Sequence, residues 1–217
     1  YHELGNVLAI FHILRNHPSE ELNNPAYRFI SYSAIYTTTE DIQKSGKLKE
    51  LEKVLLSYPY KEQADQWAHE YVRKIEDILT DFNDPDFAYA VHRKAVETLS
   101  PVYISNNPFE QLYFTLLPKY QDVVLPDLLE VLADEKNLYF GLSMTNHLGS
   151  GFNTGKGPLF QCDVEPLKEA CRKFPKRMPR IMANMCPIYE WEGDKKVSLS
   201  KFFLWLCDEF GDNVDVL

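Results

Sequence analysis

The stretch YKEQADQWAHEYVRKIEDILTDF, Tyr60 to Phe82, gives the clearest indication of the fold in this sequence. Its apolar residues recur at spacings of three and four, the period of one helix face: Ala64, Trp67, Ala68, Tyr71, Ile75, Ile78, Leu79 and Phe82. Its charged residues fall outside that face: Glu62, Asp65, Glu70, Arg73, Lys74 and Glu76. The pattern predicts an amphipathic helix with one face in a core and the other in water.

The same spacing recurs before and after this stretch and predicts further helices. The apolar sets are Leu4, Val7, Leu8, Phe11 and Leu14; Leu48, Leu51, Leu55 and Tyr58; Phe87, Val91, Ala95 and Leu99; Leu112, Tyr113, Leu116 and Leu117; Leu125, Leu128, Leu129 and Leu132; Tyr139 and Leu142; and Met178, Ile181, Met182, Met185 and Tyr189.

Helix ends are also marked in the sequence. A capping side chain precedes a proline at three places, where proline suits the first helical position: Asn24-Pro25, Asp84-Pro85 and Asn107-Pro108. Asp163 and Ser198 are expected to cap later helices, and Gly211 is expected to end the last one in the left-handed conformation.

About eleven short antiparallel helices with little strand pattern predict an all-α fold. Two architectures fit: an irregular stack of helix pairs, or a compact bundle. We favour the stack, because each short helix then buries only one or two faces. We expect residues 1–217 to form a single repeat-like domain with a possible subdivision near 149–162. The missing initiator Met and the ending FGDNVDVL suggest a fragment of a longer protein.

The stretch DPDFAYAVHRKAVETL, Asp84 to Leu99, resembles a helix of a HEAT-type repeat. The residues that carry the resemblance are Asp84-Pro85, Val91, the basic pair His92-Arg93, Ala95 and Leu99. The C-terminal FLWLCDEFGDNVDVL resembles helical segments of large multidomain bacterial proteins. These resemblances imply a HEAT-like α-solenoid with a scaffold surface and no catalytic residues.

Composition narrows the classes of partner. A net charge of −9 and a pI near 5.2 disfavour general binding to nucleic acid or anionic membranes. The longest apolar run, Phe202–Cys207, is far shorter than the roughly 20 residues of a membrane-spanning helix. We therefore expect a cytoplasmic protein without a membrane partner.

Residue types that could carry chemistry are dispersed. The four cysteines, Cys162, Cys171, Cys186 and Cys207, form no C-x-x-C pair and suggest buried thiols in a reduced protein. The six histidines form no H-E-x-x-H motif, and each is expected to be a surface or a satisfied core residue. The sequence predicts no catalytic residue, metal site or cofactor.

The glycine-rich stretch GSGFNTGKGP, Gly149 to Pro158, resembles a phosphate loop only superficially. G-x-x-x-x-G-K-[ST] would need glycine at Ser150 and a hydroxyl at Gly157. We expect a connector, with an anion site using Lys156 and His147 as the less favoured alternative.

One short segment opposes the overall charge. CRKFPKRMPR, Cys171 to Arg180, places five cations in a helix–turn–helix corner: Arg172, Lys173, Lys176, Arg177 and Arg180. A solvated corner is the simplest interpretation, and contact with an acidic partner, a phosphate or nucleic acid is the functional one. We call these five residues the basic corner.

The leading hypothesis is a non-catalytic protein–protein interaction or scaffold module that binds another protein or another domain of the same longer chain. The first alternative is an all-helical metal-dependent hydrolase or nuclease whose site assembles from distant Asp, Glu and His residues. The second alternative is nucleic-acid binding through the basic corner.

Overall fold

The structure is a computed structural model that describes residues 4–19, 26–27, 29–30, 37–60, 66–104, 106–149, 157–192 and 195–211. It is mostly helical, which confirms the all-α prediction. The HEAT-like arrangement of the helices stays a prediction. The chain forms two compact units, Tyr1–Val91 and His92–Leu217. Residues 149–162 lie inside the second unit, and the single-domain assignment stays a prediction.

The first unit contains α1 (Leu4–Arg15), α2 (Thr39–Ser45), α3 (Leu48–Leu56), α4 (Gln66–Asp81) and the first part of α5 (Pro85–Leu99). The spacing of three and four correctly identifies most of its core, because Leu4, Val7, Leu8, Phe11, Leu51, Leu55, Ile75, Ile78 and Leu79 are buried. Asp84 caps α5 as predicted, since its Oδ1 accepts a hydrogen bond from the Phe87 amide at 3.0 Å.

Tyrosines fill the centre of this unit. The rings of Tyr58 and Tyr71 stack with centroids 4.3 Å apart, and Tyr27 meets Tyr58 edge-on at 5.4 Å. The hydroxyl of Tyr71 donates to the Tyr27 carbonyl at 2.7 Å, and that of Tyr60 donates to the Leu55 carbonyl at 3.0 Å. Burial raises the pKa of Tyr60 and Tyr71. These rings are apolar core material, and the hydroxyls of Tyr60 and Tyr71 are paired with backbone carbonyls.

The second unit contains the rest of α5 and the following elements: α6 (Tyr113–Ala133), α7 (Leu138–Gly149), α8 (Glu165–Lys173), α9 (Met178–Met185), β1 (Tyr189–Glu192), β2 (Lys195–Leu199) and α10 (Lys201–Phe210). Short 3-10 turns occupy Glu135–Asn137 and Pro158–Gln161. The leucines predicted for α6 are buried and make it the central helix: Leu116, Leu117, Leu125, Leu128, Leu129 and Leu132. The α6 backbone kinks at Tyr120, between Pro118 and Pro126, which lack the amide donor of a regular helix.

Two predicted helix starts are wrong, and a third lies outside the described residues. Tyr60 lies in a turn, and its helix is described from Gln66. Asn107-Pro108 opens a series of tight turns, and α6 begins only at Tyr113. The Asn107 side chain accepts a hydrogen bond from Phe109, so it caps a turn rather than a helix. Asn24-Pro25 falls outside the described residues.

A two-stranded antiparallel hairpin replaces the helix that was predicted to reach Tyr189. Tyr189 pairs with Leu199 and Glu192 with Lys195. The chain leaves α9 in an extended conformation at Cys186, because a residue before proline is disfavoured in a helix. Ser198 consequently lies in β2 instead of capping α10.

The predicted end of the last helix is also wrong. Gly211 was expected in the left-handed conformation, but it has φ −64° and ψ −22°, a right-handed helical conformation. Glycine therefore closes α10 without the positive φ that only glycine readily adopts.

Candidate interaction surfaces

Helix α7 is apolar on two faces. Phe140, Met144 and Leu148 are buried on one face. Tyr139 and Leu142, which the spacing assigned to the core, are exposed on the other, together with Leu138. The helix contains no Asp, Glu, Lys or Arg. Helical spacing alone does not decide which of two apolar faces turns inward.

The segment after α5 extends this exposed face. The Ser100 hydroxyl donates to the Asn137 side chain at 2.7 Å, and the Ile104 amide donates to the Ser143 hydroxyl at 3.3 Å. These two bonds hold the segment beside the first turns of α7, with Val102 and Tyr103 between them. We call Val102, Tyr103, Leu138, Tyr139 and Leu142 the α7 surface.

The α7 surface is a group of exposed apolar side chains, not a set of single ones scattered over the protein. Each of its five side chains is 45–54% exposed. Single exposed apolar residues are normal in folded proteins, whereas a local concentration marks an interaction site or an aggregation hazard. The sequence contained one signal for it, namely a helix of 12 residues without a charged side chain.

The basic corner lies where α8 ends and α9 begins, as the sequence predicts. Lys173 Nζ lies 2.8 Å from Glu130 Oε1, and Arg172 Nε lies 3.1 Å from Glu209 Oε1. The Arg172 guanidinium also covers the ring of Trp205, with 5.3 Å to its centroid. These two cations therefore connect α8 with α6 and α10.

A third cation of the corner is also engaged within the chain. Arg177 donates to the Leu132 carbonyl at 3.1 Å, and its Nη1 lies 3.9 Å from Glu135 Oε1. Lys176 and Arg180 are exposed and have no hydrogen bond or ion pair with another described residue. The positive character of the basic corner is thus concentrated on these two side chains.

His92 is held in a buried network. Its Nε2 lies 3.0 Å from Asp127 Oδ2 and its Nδ1 lies 2.7 Å from the Tyr113 hydroxyl. Because the carboxylate only accepts, Nε2 donates to Asp127, and Nδ1 shares the second hydrogen bond with the Tyr113 hydroxyl. The hydrogen bond from His92, assisted by Arg93, lowers the pKa of Asp127 to about 2. His92 and Tyr113 are fully buried, so the prediction of a satisfied core histidine is confirmed here.

The cysteines behave as core residues. Cys162, Cys171 and Cys186 are buried and Cys207 is partly exposed, and all four are free. Burial raises the pKa of Cys162 and Cys186 to about 11 and that of Cys171 to about 12. These three thiols are protonated at neutral pH, which makes them weak nucleophiles.

The described part of the chain contains no cluster of metal ligands and no membrane-spanning helix. No group of three or more His, Cys, Asp or Glu there is placed to hold a metal ion. No helix described in this structure combines the length and apolarity needed to span a bilayer. The described residues therefore include no cluster of metal ligands to which the metal-dependent hydrolase hypothesis could be assigned.

The glycine-rich stretch is described only at its two ends. The Gly157 amide donates to the Gly149 carbonyl at 3.1 Å, so the ends meet. A Cβ at Gly149 would overlap the backbone of Met185, and one at Gly157 would overlap that of Leu148. His147 pairs with Glu110 at 3.1 Å. Lys156, with the rest of 150–156, lies outside the described residues.

Comparisons with known proteins identify no relative: no family model, no curated protein and no solved structure matches this chain. The HEAT-like resemblance consequently stays a prediction.

Proposed function

We propose that this chain is a non-catalytic interaction module of helical-repeat type that binds another protein, or another domain of a longer chain, through the α7 surface. The single observation that supports the proposal is the grouping of five half-exposed apolar side chains on and beside a helix without charged residues.

The energetics favour such a role. Removing apolar area from water contributes roughly 25 cal/mol per Å². The centre of a protein interface is depleted in charged residues and enriched in aromatic ones. The α7 surface includes two aromatic residues, Tyr103 and Tyr139. Because α7 carries no Asp, Glu, Lys or Arg, binding there does not require a charged side chain of that helix to lose its water. A partner with an apolar face of its own is the class that such a surface fits.

The test is site-specific photo-crosslinking in the cells that produce the protein. A crosslinking amino acid replaces Leu142 in one variant and Ile13 in the control, because Ile13 is also apolar and is 68% exposed. We expect one defined protein to be crosslinked at position 142 and not at position 13. Introducing Leu138→Lys with Tyr139→Lys should abolish that crosslink. Equal labelling at both positions, or no product at position 142, would contradict the proposal.

We propose the basic corner as a second contact, for an acidic segment of the same partner. The supporting observation is that Lys176 and Arg180 are exposed and form no ion pair with another described residue. Lys176→Glu with Arg180→Glu should weaken the position 142 crosslink. Lys44→Glu with Lys53→Glu makes the same change in charge elsewhere and should leave the crosslink intact. Equal weakening by both pairs would assign the effect to net charge alone.

A further inference from the structure

Two carboxyl groups of the first unit share one lysine. Lys49 Nζ lies 3.0 Å from Glu52 Oε2 and also bonds Asp84 Oδ2. The Glu52 side chain is only 6% exposed, and its Oε1 has no hydrogen-bond partner within the described ranges. Asp84 is mostly buried, whereas Lys49 is exposed. The cluster joins α3 to the residue that precedes α5.

The charges in this cluster do not balance if both acids are ionised. One ammonium faces two carboxylates, and a buried carboxylate oxygen without a donor is unfavourable. Protonation of Glu52 removes one negative charge and turns one of its oxygens into a donor, for which the Asp84 carboxylate on the same lysine is the acceptor at hand. Burial, reinforced by Asp84, raises the pKa of Glu52 against the opposing effect of Lys49. Burial opposes ionisation of Asp84 as well, but bonds from Lys49 and the Phe87 amide outweigh it and lower the pKa of Asp84.

Asp84 also holds the first turn of α5. Its Oδ1 accepts from the Phe87 amide at 3.0 Å, and its carbonyl accepts from the Ala88 amide at 3.0 Å. A change in the charge of Glu52 therefore acts on the carboxylate that caps α5.

We propose that Glu52 and Asp84 form a proton-sharing latch between α3 and the start of α5, closed while Glu52 keeps its proton and loosened when rising pH removes it. Among the described residues, the charged groups that act on Glu52 are Lys49 from α3 and Asp84 from the start of α5. A raised pKa in the folded state stabilises that state at low pH, and the stabilisation is lost as the pH rises through the raised value. The pKa of Asp84 is lowered instead of raised, so the stability that Asp84 contributes is lost as the pH falls. This loss sets the acid limit of the latch.

The experiment compares the wild-type chain with Glu52→Gln and Glu50→Gln. The glutamine at 52 supplies a donor at every pH, so it keeps the latch closed. Glu50 is the control, because the hydrogen bond from Lys47 lowers its pKa and, with a lesser contribution from His12, outweighs the opposing effect of burial. Carboxyl ¹³C NMR follows the titration of both glutamates, and hydrogen exchange follows the amides of Phe87 and Ala88.

We expect Glu52 to titrate at a higher pH than Glu50. The ratio of exchange rates between wild type and Glu52→Gln should rise with pH, by roughly tenfold for each pKa unit that the fold adds to Glu52. Glu50→Gln should follow the wild type. A Glu52 carboxyl that titrates with or below Glu50, or an exchange ratio that does not change with pH, would overturn the latch. If Glu52→Gln does not fold, the wild-type titration decides alone.

Discussion

Asp127 shows how one carboxylate sets acid sensitivity at the scale of a residue. Its pKa of about 2 reflects the hydrogen bonds from His92 and Arg93. A folded-state pKa below that of the unfolded chain gives stability that is present above the ordinary aspartate range and is lost as the pH falls toward 2. Asp127→Ala removes the acceptor of a buried histidine and should lower the free energy of unfolding by about 1–3 kcal/mol at pH 7.

Urea unfolding at pH 7 and at pH 2.5 measures this effect. The difference between wild type and Asp127→Ala should shrink at the lower pH, because the unfolded chain then binds a proton at Asp127 that the folded chain largely excludes, and this favours unfolding of the wild type. Asp122→Ala, on the exposed side of α6, should behave like the wild type at both values. A difference that is independent of pH would show that the carboxylate charge is not what stabilises His92.

Lys74 gives a second prediction at the scale of a residue. The sequence pattern places it outside the apolar face of α4, but the structure buries it. It is buried, and its Nζ donates to the Thr37 carbonyl at 2.6 Å. Burial lowers its pKa despite Asp77 at 3.7 Å. Lys74→Ala leaves that carbonyl without this donor and should cost about 1–3 kcal/mol of unfolding free energy. Arg73→Ala, exposed on the same helix, controls for helix propensity, and an equal loss in both variants would contradict the role of the buried bond.

Helix α7 offers a matched pair of glycines at the scale of an element. A Cβ at Gly141 would meet only Leu132 Cδ2, at 3.9 Å, whereas one at Gly149 would overlap the backbone of Met185. Gly141→Ala should stabilise the protein by about 0.5–1 kcal/mol through helix propensity. Gly149→Ala should destabilise it by about 1–3 kcal/mol through overpacking. Thermal unfolding monitored by circular dichroism measures both, and a shift of the same sign in both variants would refute the close approach of α7 and α9.

The elements also show how far the sequence determined the fold. Spacing located the buried faces of α1 and α6, where apolar and polar sides are distinct. It failed for α7, because Leu138 and Leu142 are as apolar as the buried Met144. The hairpin was missed although Glu192-Gly193-Asp194-Lys195 carries the Gly-Asp signal of a two-residue connection. Its strands, Tyr189–Glu192 and Lys195–Leu199, are too short for alternation to stand out.

At the scale of the whole molecule, the sequence located the basic corner but not its neutralisation. Glu130 and Glu209 lie 43 and 37 residues from the cations they bind, so no local pattern reveals these pairs. Asp84 is the opposite case, since its cap depends on a residue three positions away. The cap at Asp84 was predictable from the sequence, whereas the ends expected at Asn107, Ser198 and Gly211 were not found and the charge pairs between distant elements left no local pattern.

The charge of the whole molecule predicts the outcome of a nucleic-acid binding test. The chain carries a net charge of −9, and three cations of the basic corner already contact Glu130, Glu135 and Glu209. Lys176 and Arg180 alone would neutralise two phosphates, which gives a log–log salt dependence of only about −2. We therefore expect no saturable binding of duplex or single-stranded DNA in fluorescence anisotropy at low salt. The contrary result is saturable binding that weakens steeply with salt. If that binding disappears in Lys176→Glu with Arg180→Glu and persists in Lys44→Glu with Lys53→Glu, the basic corner is a nucleic-acid site. The α7 surface would then not be the main contact.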